Sequence, residues 1–90
     1  MAARQRAVVQ HKDMTTDLQE DAVQTATEAL ERYQVEKDIA SYIKREFDRK
    51  HEPFWHCVVG KAFGSCVMYE QQSFIYFYLE GRAIMLYKCG

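Results

Sequence analysis

The sequence lacks the segments by which proteins enter or cross a membrane. No apolar run approaches the roughly 20 residues that a membrane-spanning helix needs. The N-terminal stretch MAARQRAVVQHKDM contains two arginines but has no apolar core of signal-peptide length. We therefore expect an intracellular, soluble protein in the cytoplasm, without membrane insertion.

An excess of charge of one sign is also absent. The 12 lysine and arginine residues nearly balance the 13 aspartate and glutamate residues, and the formal net charge is -1. Without a basic excess, nothing in the composition indicates a nucleic-acid partner. The chain of 90 residues is long enough for one domain, which we assign to residues 1–90.

The three cysteines show no spacing typical of a disulfide framework or a zinc site. Cys57, Cys66 and Cys89 are odd in number and form no C-x-x-C pair, which favours reduced thiols. His56 and Cys57 are adjacent on a predicted strand, so they point to opposite faces and cannot form one nucleophilic site. The glycine-rich phosphate loop and the common hydrolase motifs are missing. We expect no metal, no cofactor and no enzymatic activity.

Two helices are predicted in the first half of the chain. The first begins at Thr16, whose spacing to Gln19 fits a capping box, and its apolar residues recur at helical spacing as far as Tyr33. The second covers Val35–His51, and its apolar stripe consists of Val35, Ile39, Ile43 and Phe47.

The start of the second predicted helix has no good N-cap residue among positions 33–35. Its first backbone N–H groups are therefore left without a local side-chain partner. Either water or a ligand can satisfy them, and the helix pattern alone leaves both open.

The remaining apolar segments predict strands. They are Ala7–Gln10, Phe54–Val59, Phe63–Tyr69, Phe74–Leu79 and Ala83–Tyr87, with a turn at Glu80-Gly81. Helices grouped before strands indicate an α+β fold, in which two helices pack on an antiparallel β-sheet.

The stretch SFIYFYL at Ser73–Leu79 is apolar or aromatic on both faces of its strand. The two helices can cover only one face of the sheet. We expect the second face to form an exposed patch that contains Phe74, Tyr76, Tyr78, Ile84 and Leu86. A second copy of the sheet across a two-fold axis would cover it; a curled sheet or a loop folded over it are the alternatives.

His56 lies on the strand side opposite Trp55 and Cys57. If that side meets a second subunit, charging the imidazole below its ordinary pKa of about 6.5 would weaken the dimer. The alternative is a hydrogen-bonded histidine with no switching role.

The segments KDIASYIKREFDRKHEPFWHCVVGKAFGS, FIYFYL and AIMLYKCG closely resemble the cytoplasmic dynein light chain family of the eight-kilodalton hub type. EDAVQTATEALERY matches that family as well. The resemblance implies a strand-swapped homodimer with two facing sheets, in which the Phe63–Tyr69 strand crosses to the partner. Clients, among them the dynein intermediate chain, would add a short extended segment to the free edge of this strand. The implied location is cytoplasmic and cytoskeleton-associated.

The resemblance also assigns residues to these roles. Client binding would use Glu36, Lys37, Phe63, Gly64, Ser65, Cys66, Val67, Met68, Tyr69, Phe74, Tyr76, Tyr78, Ala83 and Met85. The dimer interface would use Lys44, His56, Val58, Ser65 and Val67.

The sequence departs from the usual family pattern at Cys66, Met68 and Tyr69, where tyrosine, threonine and histidine are common. Client preference is therefore open, although strand addition through the backbone need not be affected. Cys89 stands where the family often has a serine. The alternative function is a thiol-dependent regulatory binding protein that uses Cys66 or Cys89 at the groove.

Overall fold

The computed structural model describes residues 7–61 and 68–89, and within them two helices pack on one face of an antiparallel sheet. The elements in chain order are β1 (Val8–Asp13), α1 (Thr16–Arg32), α2 (Glu36–His51), β2 (Trp55–Gly60), β3 (Phe74–Leu79) and β4 (Arg82–Lys88). This confirms the predicted α+β class. None of the helices is long and apolar enough to cross a membrane, as far as the described residues show.

The N-cap residue of helix α1 lies one position earlier than the sequence pattern predicted. Thr15, not Thr16, is the N-cap, and its Oγ1 accepts a hydrogen bond from the Leu18 N–H at 3.2 Å. The predicted capping box between Thr16 and Gln19 is therefore wrong. Both adjacent threonines carry a hydroxyl that could cap the helix, and in the structure the first of them does so because its backbone is extended.

Helix α2 starts without a side-chain cap, as predicted. Val35 is the N-cap residue and makes no side-chain capping hydrogen bond. Ile39, Ile43 and Phe47 are fully buried, but Val35 is 58% exposed and does not continue the apolar stripe. A position outside the first helical turn no longer lies over the sheet, so the stripe is one residue shorter than the sequence indicated.

The sheet has the order β1-β3-β4-β2, and all three neighbouring pairs are antiparallel. Glu80 and Gly81 form the two-residue turn between β3 and β4, both with positive φ (53° and 77°). Such values suit a tight hairpin turn. The turn sets Leu79 opposite Arg82, which fixes the register of every later pair in the hairpin.

The hydrophobic core lies between the helices and one face of the sheet. Trp55, Phe47 and Phe77 are its largest fully buried side chains. Each contributes about 1.5–3 kcal/mol or more by leaving water. Ala22, Ala26 and Ala29 of α1 are completely buried, and small side chains at these positions let the helix approach closely.

Two residues predicted for the second face belong to this core instead. Ile84 and Leu86 are completely buried in the cluster under the helices. The register pairs them with Phe77 and Ile75, which face the helices, so the prediction that they lie in an exposed patch is wrong.

Candidate functional site

The face of the sheet turned away from the helices carries a second set of apolar and aromatic side chains. This surface, here called the open face, consists of Val8, His11, Asp13, His56, Val58, Phe74, Tyr76, Tyr78, Ala83, Met85 and Tyr87. It arises because β3 and β4 are apolar at nearly every position, so that their outward-facing residues are as apolar as their core residues.

Pairing arranges most of the open face into cross-strand rows. Phe74, Tyr87 and His56 form one row across β3, β4 and β2. A second row joins Tyr76, Met85 and Val58, and a third row joins Tyr78 to Ala83. Directly opposite side chains touch, and such pairs are the unit that stabilises a sheet surface.

Aromatic contacts link the rows. The His56 and Tyr87 rings stack with centroids 5.3 Å apart. The Tyr76 and Tyr78 rings meet edge to face at 5.7 Å, and a side-chain hydrogen bond between them raises the pKa of Tyr78. The aromatic rings therefore make the surface mainly apolar, and the tyrosines add hydroxyl groups to it. This combination suits a surface that binds another protein.

The exposed part of the open face is smaller than expected from the sequence. Val58 and Tyr78 are 44% and 38% exposed, but Phe74, Ala83 and Met85 are buried within the single chain. At one end, the Tyr69 ring stacks on Phe74 at 4.7 Å, so a loop covers part of the surface. This is one of the arrangements that the sequence left open.

The loop that carries Tyr69 precedes β3 in the chain and is hydrogen-bonded to the end of β4. The Glu70 N–H donates to the Lys88 carbonyl at 2.9 Å, and the Lys88 N–H donates to the Ser73 carbonyl at 3.0 Å. Met68 precedes this loop and is 85% exposed. Met68 and Tyr69 lie outside any strand. The rest of the predicted strand lies outside the described residues, with the candidate site residues Phe63, Gly64, Ser65, Cys66 and Val67.

A cleft of about 420 Å³ lies between α2 and the outer edge of β2. This α2–β2 cleft is lined by Lys37, Ala40, Ser41, Lys44, His56, Cys57, Val58 and Tyr87. It brings together Lys37, predicted for client binding, and Lys44, His56 and Val58, predicted for the dimer interface. His56 and Cys57 border it from opposite faces of the strand, and burial raises the pKa of the Cys57 thiol, so this thiol is not a reactive one.

Two basic side chains at the cleft have specific partners. Lys44 pairs with Asp48 one turn later on α2 and also lies 5.9 Å from the centre of the Phe54 ring. His56 Nε2 lies 3.2 Å from the Cys89 carbonyl oxygen. The C-terminal end of the described chain therefore borders the same edge as the cleft.

The start of α2 lies at one end of the α2–β2 cleft. The Asp38 and Ile39 N–H groups both donate to the Val35 carbonyl at 3.0 Å. No acceptor is recorded within the described residues for the Glu36 and Lys37 N–H groups. These two N–H groups sit at the positive end of the helix dipole and can receive an oxygen from another molecule.

The two outer strands of the sheet differ in how readily their open edges can pair with a further strand. Strand β1 carries His11, Lys12 and Asp13, and its pairing with β3 is interrupted by a bulge. Bulges and charges are the usual protection of a sheet edge. Strand β2 reads WHCVVG, pairs with β4 without a register shift and has no lysine, arginine or carboxylate.

Sequence reasoning missed several contributors to this region, among them Tyr87, His11 and Phe54. Tyr87 follows Met85 by two positions, so simple alternation along β4 could have placed it on the open face. His11 could not be found, because the predicted first strand ended at Gln10 and β1 continues to Asp13. Phe54, 57% exposed beside Lys44, was predicted as part of a strand but without a role at the site.

The described residues contain no group of three or more histidine, cysteine, aspartate or glutamate side chains that could hold a metal ion. The geometry thus defines a class: a small helix-backed antiparallel sheet with an apolar open face and one unprotected edge strand. Residues 6–89 match the family model described as dynein light chain type 1. The match covers nearly the whole chain, and the protein belongs to the dynein light chain family.

Solved structures of dynein light chain-like domains share this fold. Two structures of that domain from the calcium binding protein FhCaBP2 of Fasciola hepatica superpose with TM-scores of 0.78 and 0.75, at 17% and 18% identity. The first pairing covers 93% of this chain and 92% of the other, and the second covers 100% of both. The DLC-like domain of CsTAL3 gives a TM-score of 0.73 at 16% identity, over 91% and 90% of the two chains. These likenesses show the fold.

Proposed function

We propose that the protein is a non-catalytic dimeric hub and dynein light chain, which binds short extended segments of client proteins by strand addition. The observation that carries the proposal is the unprotected edge strand β2 beside the α2–β2 cleft. A row of unpaired backbone groups on a sheet edge is a template for another strand, and the neighbouring pockets select its side chains.

A second copy of the chain is the proposed cover of the open face. Val58, exposed on β2, and Tyr78, exposed on β3, give this face apolar area on both sides of Met85. Two such faces packed across a two-fold axis would form a sandwich with the helices outside. In the family pattern the segment matching Phe63–Tyr69 crosses to the partner's sheet, and we propose the same exchange at the β2 edge. The exchanged segment would then pair with β2, and clients would add to the free edge of that segment.

The uncapped start of α2 supports a role in client recognition. Two N–H groups, those of Glu36 and Lys37, are open to an acceptor, and the Lys37 side chain borders the α2–β2 cleft. The amide oxygen of a client glutamine could accept from such N–H groups. We therefore favour the ligand over water as their partner.

Two equal grooves on one dimer would hold two client chains side by side. Once one groove is filled, binding of the second site of a bivalent client is effectively intramolecular, so weak single contacts give tight paired binding. The family points to dynein components, the intermediate chain among them, as partners. It also points to a cytoplasmic place of action on the cytoskeleton.

Calorimetric titration with a short peptide that has a Thr-Gln-Thr core tests the proposal, with sedimentation velocity of the same sample. One peptide per chain and a dimeric sedimentation coefficient are expected. A dimer that does not bind the peptide would mean that Cys66, Met68 and Tyr69 have redirected client preference, and an unbiased peptide selection would then identify the motif. A protein that is monomeric at micromolar concentration and neutral pH would contradict the proposal.

A further inference from the structure

A cluster of four polar side chains joins α1 to the end of α2 on the side of the molecule away from the open face. Asp21 Oδ1 accepts a hydrogen bond from Lys50 Nζ at 2.9 Å, and Asp21 Oδ2 lies 2.5 Å from His51 Nε2. Thr25, completely buried, donates its hydroxyl to Asp21 at 3.3 Å and accepts from Lys50 at 3.2 Å. One carboxylate therefore contacts two basic side chains of the other helix.

The contacts of the His51 side chain are an aromatic ring and the Asp21 carboxylate. Its ring packs on Phe47 of the same helix, with centroids 4.7 Å apart. Strand β2 contributes the Trp55 ring, which packs on Phe47 and does not titrate. Within the described residues, Asp21 is the one recorded ion-pair partner of His51, and Lys50 is the cation that shares it.

The protonation state of His51 changes what this cluster can do. A protonated imidazole forms an ion pair with Asp21, whereas a neutral imidazole offers one N–H and only a neutral donor. The side chains of Asp21 and His51 are 25% and 31% exposed, so the pair is only partly screened by water. His51 is also the last residue of α2, where the helix dipole favours a cation.

We propose that the Asp21–Lys50–His51 cluster is a pH-responsive clasp, which binds the two helices together more strongly when His51 carries a proton. Its action is distinct from that proposed for His56. His56 lies on the open face, where a positive charge opposes dimer formation, while His51 lies between the helices, where a positive charge stabilises each chain. If both act, mild acid separates the subunits and at the same time tightens the helix pair of each one.

The test compares thermal unfolding of the full-length protein and of His51→Gln from pH 8.0 to 5.5 at one protein concentration. Glutamine can still donate a hydrogen bond to Asp21 but cannot become charged. The wild-type Tm is expected to rise relative to the variant by about 2–5 °C over this range, the size of a partly exposed ion pair in a small domain. Because His56 is intact in both proteins, its contribution to dimer stability cancels in the difference.

Asp21→Asn supplies the matched control, because it keeps the side-chain shape and removes the charge that His51 would meet. In the Asp21→Asn background, His51→Gln should produce a Tm difference that changes much less with pH, because only the helix dipole still favours the charged ring. A wild-type advantage that is constant or shrinks on acidification would overturn the proposal.

A second measurement applies if His51→Gln does not fold. The carboxyl ¹³C shift of Asp21 in the wild type must then follow the titration of the His51 ring between pH 8.0 and 5.5, and an unchanged shift would equally overturn the clasp. Neither readout involves clients, so a failure of the proposed hub function would leave the result intact.

Discussion

The Asp48 carboxylate accepts a hydrogen bond from the Trp55 backbone N–H at 2.7 Å, and so ties helix α2 to the first residue of β2. Asp48 also pairs with Lys44, which borders the α2–β2 cleft. Burial acts to raise the pKa of Asp48, but the hydrogen bonds from Lys44 and from the Trp55 N–H outweigh it and lower this pKa below its usual range. The carboxylate therefore positions the edge strand that we propose as the template for the exchanged segment.

Replacement of Asp48 by alanine should lower the free energy of unfolding by about 1.5–3 kcal/mol, since a hydrogen bond to a charged acceptor is lost and the Trp55 N–H is left unpaired. Asp48→Asn keeps an acceptor and should lose less. Urea unfolding at pH 7 and one fixed protein concentration measures both. An alanine variant as stable as the wild type would show that the contact contributes nothing.

The same carboxylate predicts a pH effect of defined sign. Because the pKa of Asp48 is lowered in the fold, its stabilisation is complete above the unfolded value of about 3.9 and is lost as the pH falls through the lowered folded value. The stability gap between wild type and Asp48→Asn should thus close in the acid range below about pH 4. A gap that stays constant between pH 6 and pH 3 would contradict this assignment.

Val58 and Val59 are neighbours on β2 that lie on opposite faces. Val58 is 44% exposed on the open face, and Val59 packs against the core. Val58→Lys should leave the domain folded but weaken the dimer at least about tenfold, because an unpaired ammonium would be buried between the sheets. Val59→Lys should unfold the domain. Sedimentation and circular dichroism separate the two results, and a fully dimeric Val58→Lys protein would remove the open face from the interface.

The sequence alone predicted correctly those elements whose apolar residues follow a single period. Strand β3 has the predicted bounds, and Ile39, Ile43 and Phe47 form the buried side of α2 as their spacing indicated. Helical periodicity leaves one face apolar, so burial follows directly from the pattern. The missing N-cap of α2 was also predictable, because capping depends on a few side chains next to the helix start.

Face assignment in the β3–β4 hairpin failed because both strands are apolar on both sides. Period-two alternation cannot decide which side is the core when every position is apolar, and Ile84 and Leu86 were placed on the wrong face. The turn at Glu80-Gly81 contained the missing information. A two-residue turn pairs Tyr78 with Ala83 and Tyr76 with Met85, which puts the even-numbered β3 residues and the odd-numbered β4 residues on one face.

His56 predicts how the dimer responds to acid. It stacks on Tyr87 in the open face, and the carboxylate that interacts with it electrostatically is that of Asp48, which is already paired with Lys44. In the proposed dimer a charged imidazole would lose hydration and gain little from a carboxylate that Lys44 already neutralises, so acidification should shift dimer to monomer. Sedimentation velocity from pH 8 to pH 5 measures the shift.

A permanent charge at the same position should have the effect of acid at neutral pH. His56→Lys is therefore expected to be monomeric at concentrations where the wild type is dimeric. His51→Gln is the matched control, because this histidine lies between the helices and its loss should leave the acid-induced dissociation in place. A His56→Lys protein that dimerises like the wild type would place His56 outside the interface.

Lys37 offers the sharpest test of the groove, because it lies at the uncapped start of α2 and borders the α2–β2 cleft. Lys37→Glu reverses its charge, and the new carboxylate can itself occupy the open N–H groups of the first helical turn. We expect peptide affinity to fall about tenfold or more, with the dimer and its Tm nearly unchanged, since acidic side chains at a helix start are favourable. Calorimetric titration with the Thr-Gln-Thr peptide measures the loss.

Lys12→Glu is the matched control. It makes the same charge change on β1, the opposite edge of the sheet, and should bind the peptide like the wild type. Equal affinities for both variants would mean that clients do not reach the start of α2, and that the strand edge alone carries recognition.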